Sequence, residues 1–239
     1  MRRLFPDHGD LDDASLRAAY ADAPRLRVNF VSSLDGAVTL DGHAAGLSSP
    51  GDQRILALLR SLCDVLLVGA GTVRAEGYSA LLGDRSAQPR LAIVSHNLGL
   101  PPDHPSLSAT DQPALIITHE SAPVAARKLL EPHAEILVCG ATEVDLPAAL
   151  DALAARGLRR VLSEGGPTVF GALLAAGLVD ELCLTVSPLL AGPGAQRIVD
   201  GRPSPVQEMV LKHVLADDGH LFLRYGRERR HNPAMTGPG

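Results

Sequence analysis

Tryptophan is absent from this 239-residue chain, and all aromatics together make up 3% of it. The interior must therefore be built from aliphatic side chains, and at 46% hydrophobic content there are enough of them for a sizeable core. Cysteine is nearly as scarce. Cys63, Cys139 and Cys183 make no C-x-x-C pair and no even-numbered framework, which excludes a disulfide scaffold and points to a reducing, cytoplasmic setting. No run approaches the roughly 20 apolar residues that span a bilayer, and Met1-Arg2-Arg3-Leu4-Phe5 lacks the apolar centre of a signal peptide; no membrane association is expected. A net charge of −5 leaves no basic face for nucleic acid. Only Arg227-Glu228-Arg229-Arg230 is locally basic, and 227–239 reads as a disordered tail.

Several chemistries are missing too. None of the nine histidines falls at H-x-x-x-H or H-E-x-x-H spacing, so no metal site is expected. There is no G-x-S-x-G elbow, no G-x-x-x-x-G-K-[ST] loop and no H-x-E with P-C-x-x-C of zinc deaminases. These gaps exclude acyl transfer, a P-loop nucleotidase and base deamination by this chain.

What is present alternates between strand and helix. A short helix over 12–21 lies within an N-terminal extension, residues 1–25. Apolar strands follow at 26–32, 64–68, 90–94, 114–118 and 135–138, with helices at 52–60, 121–130 and 147–156 between them. A long strand over 180–190 precedes two segments, 206–215 and 220–225, that pair across the turn Asp217-Asp218-Gly219. The pattern predicts an α/β fold: a three-layer α/β/α sandwich, mostly parallel with antiparallel C-terminal strands, forming one domain over 26–226.

The chain is organised around Ser163-Glu164-Gly165-Gly166-Pro167-Thr168-Val169-Phe170. The glycines permit close approach, and Pro167 suits the first helical position. Free N–H groups and the helix dipole make an anion site there. A plain β–α turn with a solvent-facing Glu164 would read the same way. Gly69-Ala70-Gly71-Thr72-Val73-Arg74 is a second glycine turn. It fails the dinucleotide fingerprint because Arg74 holds the third glycine position, and the next strand ends in Ser95-His96 rather than an acid. With no acid for a ribose 2′-hydroxyl, the pattern leans toward a 2′-phosphorylated cofactor. Ser32, Asp35 and Thr39 follow the first strand, where ligand contacts gather, although Asp35-Gly36 is equally a turn dipeptide. Asp52 is explained by helix capping alone, yet a carboxylate there could also pair with an amino-heterocycle. Glycines, hydroxyls and few protic catalysts at strand exits suit hydride transfer, in which a cofactor supplies the chemistry.

Four ordered motifs carry a resemblance: Val28-Asn29-Phe30-Val31-Ser32-Ser33-Leu34-Asp35-Gly36, Leu67-Val68-Gly69-Ala70-Gly71-Thr72-Val73, Glu164-Gly165-Gly166-Pro167-Thr168 and Val179-Asp180-Glu181-Leu182. From about Leu26 to Tyr225 the chain resembles the reductase domain of riboflavin biosynthesis, which has a dihydrofolate-reductase-like fold. The resemblance implies an NADPH-dependent oxidoreductase that reduces the ribosylamino group of 5-amino-6-(5-phosphoribosylamino)uracil to the ribitylamino form, as a homodimer with the C-terminal strands at the interface. It implies cofactor contacts at Thr72, Glu76, Ser95 and the run from Gly166 to Ala172. With the strand-exit candidates, the cofactor set is Ser32, Thr39, Gly69, Gly71, Thr72, Val73, Glu76, Ser95, Gly165, Gly166, Pro167, Thr168, Val169 and Phe170. The substrate set is Asp35, Asp52, Arg60 and Glu164, with Asp35 and Glu164 read as catalytic. The chain departs from the family where the segment after Glu76 lacks a phosphate-binding arginine near position 83, and where a substrate serine falls at Ala44. An NADPH reductase of another heterocycle, such as dihydrofolate or a pterin, and a non-catalytic NADPH-binding protein remain alternative readings.

Overall fold

The computed structural model describes residues 1–22, 24–78, 88–108 and 111–228. In chain order it contains β1 (Arg2–Phe5), β2 (Gly9–Asp10), α1 (Asp13–Ala19), β3 (Leu26–Ser32), α2 (Pro50–Ser61), β4 (Val65–Gly69), α3 (Ala70–Glu76) and β5 (Arg90–Val94). Then come β6 (Ala114–Thr118), α4 (Val124–Leu130), β7 (Ala134–Val138), α5 (Leu146–Ala155), β8 (Val161–Ser163), α6 (Pro167–Ala175), β9 (Glu181–Val186), β10 (Met209–Asp217) and β11 (His220–Arg227).

Among the described residues all eleven strands join one sheet in the order β2-β1-β10-β11-β9-β3-β8-β4-β5-β6-β7. From β9 to β7 every pairing is parallel, and from β9 outward to β2 every pairing is antiparallel. Period-2 alternation sends neighbouring side chains to opposite faces. Thus Leu66 and Val68 of β4 pack with Ile55, Leu59 and Val73 of α2 and α3, while Val65 and Leu67 pack with Leu150, Leu153 and Phe170 of α5 and α6. The expected three layers follow, with aliphatic cores on both faces.

Several boundaries differ from expectation for local reasons. Helix α2 starts at Pro50 because Ser49, rather than Asp52, is its cap, accepting from the Asp52 N–H at 3.1 Å. The Gly69–Tyr78 stretch, read as a turn, contains α3, which Gly77 ends in a left-handed conformation at φ 61°. Helix α4 begins after Pro123 rather than at Ser121. Strand β9 stops at Val186, two residues before Pro188, which cannot donate to a ladder. Residues 1–25 contribute two strands besides their helix, and Leu16 and Tyr20 of that stretch are buried in the core. Arg227, assigned to the tail, closes β11 and donates its N–H to the Asp180 carbonyl at 2.7 Å; residues 229–239 lie outside the described residues.

At the sheet end opposite the strand exits, Arg27 of β3 and Arg224 of β11 both donate to Glu181 of β9, and all three side chains are 6% exposed. Beside them His213 of β10 meets Tyr20 edge-on at 4.7 Å. Burial, then the positive charge of Arg224, pushes the His213 pKa from 6.5 down to about 4. The fold therefore keeps His213 neutral where the unfolded chain would bind a proton, so its stability contribution is complete above pH 6.5 and is lost as pH falls toward about 4. Urea unfolding is expected to show a lower midpoint at pH 5 than at pH 7.5, with a smaller difference in His213→Phe. An equal pH difference in that variant would contradict the assignment.

Candidate active site

Strands β3, β8, β4 and β5 end side by side, and their exits open into a cleft of about 1060 Å³ roofed by α2 and the 39–48 segment. That is at the upper end of the roughly 300–1000 Å³ of small-molecule and cofactor pockets. The floor is set by glycine. The Gly69 N–H donates to the Gly165 carbonyl at 2.7 Å, and a Cβ on Gly69 would stand 2.9 Å from Val169 Cγ2. A Cβ on Gly166 would stand 2.7 Å from Thr72 Oγ1. Gly165 adopts φ +80° and lies against the Phe30 ring, which stacks on Phe170 at 5.3 Å. No side chain caps α6: Gly166 is its N-cap and Pro167 its first residue. The N–H groups of that first turn, on a cleft-lining segment, carry the partial positive charge of the helix end. An uncapped helix end, a cradle with no room for a Cβ and a cleft of this size fit the diphosphate of a nicotinamide dinucleotide.

Above the cradle lies a charged cluster. Arg60 of α2 grips Glu164 with both ends of its fork, Nε to Oε1 at 2.8 Å and Nη2 to Oε2 at 2.7 Å. The Tyr78 hydroxyl donates to Oε2 at 3.1 Å, and the Arg60 guanidinium lies 5.8 Å from the Tyr78 ring centre. Burial alone would lower the Arg60 pKa, but the hydrogen bonds and charge of Glu164 raise it. Burial, then the Glu164 charge, holds the Tyr78 hydroxyl well above its ordinary value, so it stays protonated and a donor. Both Glu164 oxygens are thus occupied, which explains a carboxylate beside an anion cradle. Two turns earlier on α2, Asp52 is 6% exposed, lines the cleft and accepts from Ser48 Oγ at 2.7 Å through Oδ2.

The cleft collects Thr39, Asp52, Arg60, Gly69, Gly71, Thr72, Glu76, Ser95, Glu164, Gly166, Pro167, Thr168 and Val169 from the expected set. Five others do not line it. Val73 and Phe170 are core residues under α3 and α6; Gly165 lies behind the cradle; Ser32 is buried and its carbonyl accepts from the Ser187 N–H. Asp35, expected beside the reacting centre, instead clips a loop: its carboxylate accepts from Ser33 Oγ, from Ala191 N at 3.1 Å and from Gly192 N at 2.8 Å. These bonds lower its pKa from 3.8 to about 2. The clipped loop brings Gln196 into the cleft, where its carbonyl accepts from Val38 N at 3.0 Å. In this structure the Asp35 carboxylate holds that loop and does not line the cleft. Tyr78, Ser48, Gln196 and His96 escaped notice because no spacing marks them. The Ala44 N–H donates to Glu76 Oε1 at 3.2 Å; the missing arginine near position 83 lies outside the described residues. Among the described residues no group of His, Cys, Asp and Glu could hold a metal, and no helix is long and apolar enough to cross a membrane.

A glycine cradle at an uncapped helix, beside a charged cluster at the carboxyl ends of parallel strands, fits a dinucleotide next to a small substrate. Residues 24–223 match the RibD C-terminal domain, and the chain belongs to that family. It is similar to a protein of Methanothermobacter thermautotrophicus named 2,5-diamino-6-ribosylamino-4(3H)-pyrimidinone 5′-phosphate reductase, with 31% identity over 74% of this chain and 84% of the relative. A relative of the same name from Archaeoglobus fulgidus shares 29% identity over 84% of this chain and 89% of its own. The solved pyrimidine reductase-like protein of Corynebacterium diphtheriae superposes with a TM-score of 0.75 at 26% identity, covering 89% of this chain and 94% of that one.

Glu164→Ala leaves the Arg60 guanidinium unpaired and mostly buried, which is expected to cost about 3 kcal/mol, or about 6–12 °C in Tm. The double variant Arg60→Leu with Glu164→Leu is expected to recover most of that Tm in thermal unfolding without recovering ligand binding. Recovery of both would mean the pair is purely structural.

Proposed function

We propose that the chain is an NADPH-dependent reductase of a 5-amino-6-(5-phosphoribosylamino)pyrimidine, converting its ribosylamino group to the ribitylamino form in riboflavin biosynthesis. The observation that carries this reading is the Arg60–Glu164–Tyr78 cluster set directly over the Gly166–Val169 cradle, within a family whose relatives are named for such substrates. When bound, the nicotinamide supplies a hydride. The residues of this chain hold the two ligands: Gly166, Thr168 and Val169 take the diphosphate, with Thr72 and Ser95 beside it. Asp52 takes the amino edge of the base through Oδ1, which Ser48 leaves free. Glu164, fixed by Arg60 and Tyr78, orients the ribosylamino group in its open-chain imine form, so that the carbon receives hydride and the nitrogen a proton. Such positioning is worth about 7–11 kcal/mol where alignment is good.

The same reading makes the protein a cytoplasmic homodimer, in keeping with its unpaired thiols and with the exposed Val210 and Leu221 on β10 and β11. Light scattering on the purified chain tests the dimer.

A panel assay at the NADPH absorbance band tests the activity, offering the 2-amino and 2-oxo ribosylaminopyrimidine phosphates, their dephosphorylated forms and dihydrofolate. Turnover is expected only with the phosphorylated pyrimidines. In Asp52→Asn we expect kcat/KM for the 2-amino substrate to fall about 100-fold, as for loss of a charged hydrogen-bond pair. Turnover of dihydrofolate would move the protein to the pterin reductases, and NADPH binding with no turnover would make it a binding protein.

A further inference from the structure

Reduction of an imine needs a proton as well as a hydride, and the proton must reach the ribosylamino nitrogen. Arginine does not release one. Arg60 and Arg74 aside, the titratable side chains lining the cleft among the described residues are Asp52, Glu76, Tyr78, His96 and Glu164. The three carboxylates act as acceptors: Asp52 from Ser48 Oγ, Glu76 from the Ala44 N–H, and Glu164 from Arg60 and Tyr78. His96 follows β5, which β4 separates from β8 and so from Glu164. The donor that remains is the Tyr78 hydroxyl, 3.1 Å from Glu164 Oε2.

The Tyr78 ring is held from two sides. It packs against the aliphatic cluster that contains Ile55, Leu59 and Val73, and the Arg60 guanidinium lies 5.8 Å from its centre. With the ring held, rotation about the C–O bond carries the proton between Glu164 and a ligand beside it. Glu164 does not need Tyr78 to stay in place, because both of its oxygens also accept from Arg60. Burial, then the charge of Glu164, keeps the phenol protonated until a stronger base is presented. A nitrogen that has just received the electron pair of a C=N bond is such a base, and the Arg60 charge beside the ring offsets the negative charge left on the phenolate.

We propose that Tyr78 is the catalytic acid of the reduction, its hydroxyl turning from Glu164 Oε2 to the ribosylamino nitrogen and giving that nitrogen its proton. The proposal rests on the reductase reading above. In the step, the imine carbon gains hydride from the dihydronicotinamide and the C=N pair moves to nitrogen. The Tyr78 O–H bond breaks as the N–H bond forms, and water then returns a proton to the phenolate.

Single-turnover oxidation of NADPH with the ribosylaminopyrimidine phosphate tests it, read beside calorimetric binding of the ribitylamino product to the cofactor-free chain. Tyr78→Phe is expected to slow the single turnover at least about 100-fold, the scale of a lost general acid, with product affinity unchanged. Replacement of Tyr78 by 3-fluorotyrosine, which keeps the hydroxyl, is expected to restore the rate. An unchanged rate in Tyr78→Phe overturns the proposal, as does a slow 3-fluorotyrosine protein that is folded by circular dichroism. Equal loss of rate and product affinity in Tyr78→Phe also overturns it, since Tyr78 would then only hold Glu164. Absence of turnover in the wild type removes the reductase reading itself, and the proposal with it.

Discussion

The hydrogen bond from the Gly69 N–H to the Gly165 carbonyl holds the site together. It ties the exit of β4 to the exit of β8 at a distance that only glycines allow, since a Cβ at Gly69 or Gly166 would collide with Val169 or Thr72. From that junction α3 and α6 leave in different directions, one onto each face of the sheet. Their first turns therefore meet in one cradle. Glu164 is the residue immediately before the junction, so the same backbone contact that forms the cradle also delivers the carboxylate to Arg60 and Tyr78.

Topology explains why the cleft falls there. The chain builds β3 and β4, continues outward through β5, β6 and β7, and then returns to insert β8 between β3 and β4. Helices from β4 and β8 consequently cover opposite faces, and the space between their starting points cannot be filled by either. Crevices of this kind at the carboxyl ends of strands are where open α/β sheets bind ligands. Helix α2 also borders the cleft, to which it brings Asp52 and Arg60 from one helix face, two turns apart. The antiparallel end of the sheet, with the Glu181 ion cluster, is distant from this chemistry and supports the fold.

Much of this was legible in the residues. Gly165-Gly166-Pro167 announces a strand-to-helix turn by backbone chemistry alone, and the continuous apolar runs of β4 and β6 announce strands buried on both faces. Other features depend on what is distant in sequence. Arg2–Phe5 becomes a strand only because β10 offers an edge. The Gly69–Tyr78 stretch looks like a turn because glycines dominate locally, yet Val73 has a core to enter and the segment coils into α3. Asp35 shows the sharpest limit. Its place in a Ser-Leu-Asp-Gly signature suggested chemistry, but the N–H groups that occupy it come from Ala191 and Gly192, more than a hundred residues later. Tyr78 carries no motif and is placed only by Gly77 stopping α3.

The central claim is that the Ser163–Phe170 turn cradles the cofactor diphosphate, with Glu164 at the junction of cofactor and substrate. A crystal structure of the chain with NADP⁺ bound tests it most directly. The account predicts diphosphate oxygens accepting from the N–H groups of the first turn of α6, with the nicotinamide on the Glu164 side of the cleft and the adenosine on the β5 side. A diphosphate seated away from α6, or a dinucleotide lying in the reverse direction, would contradict it.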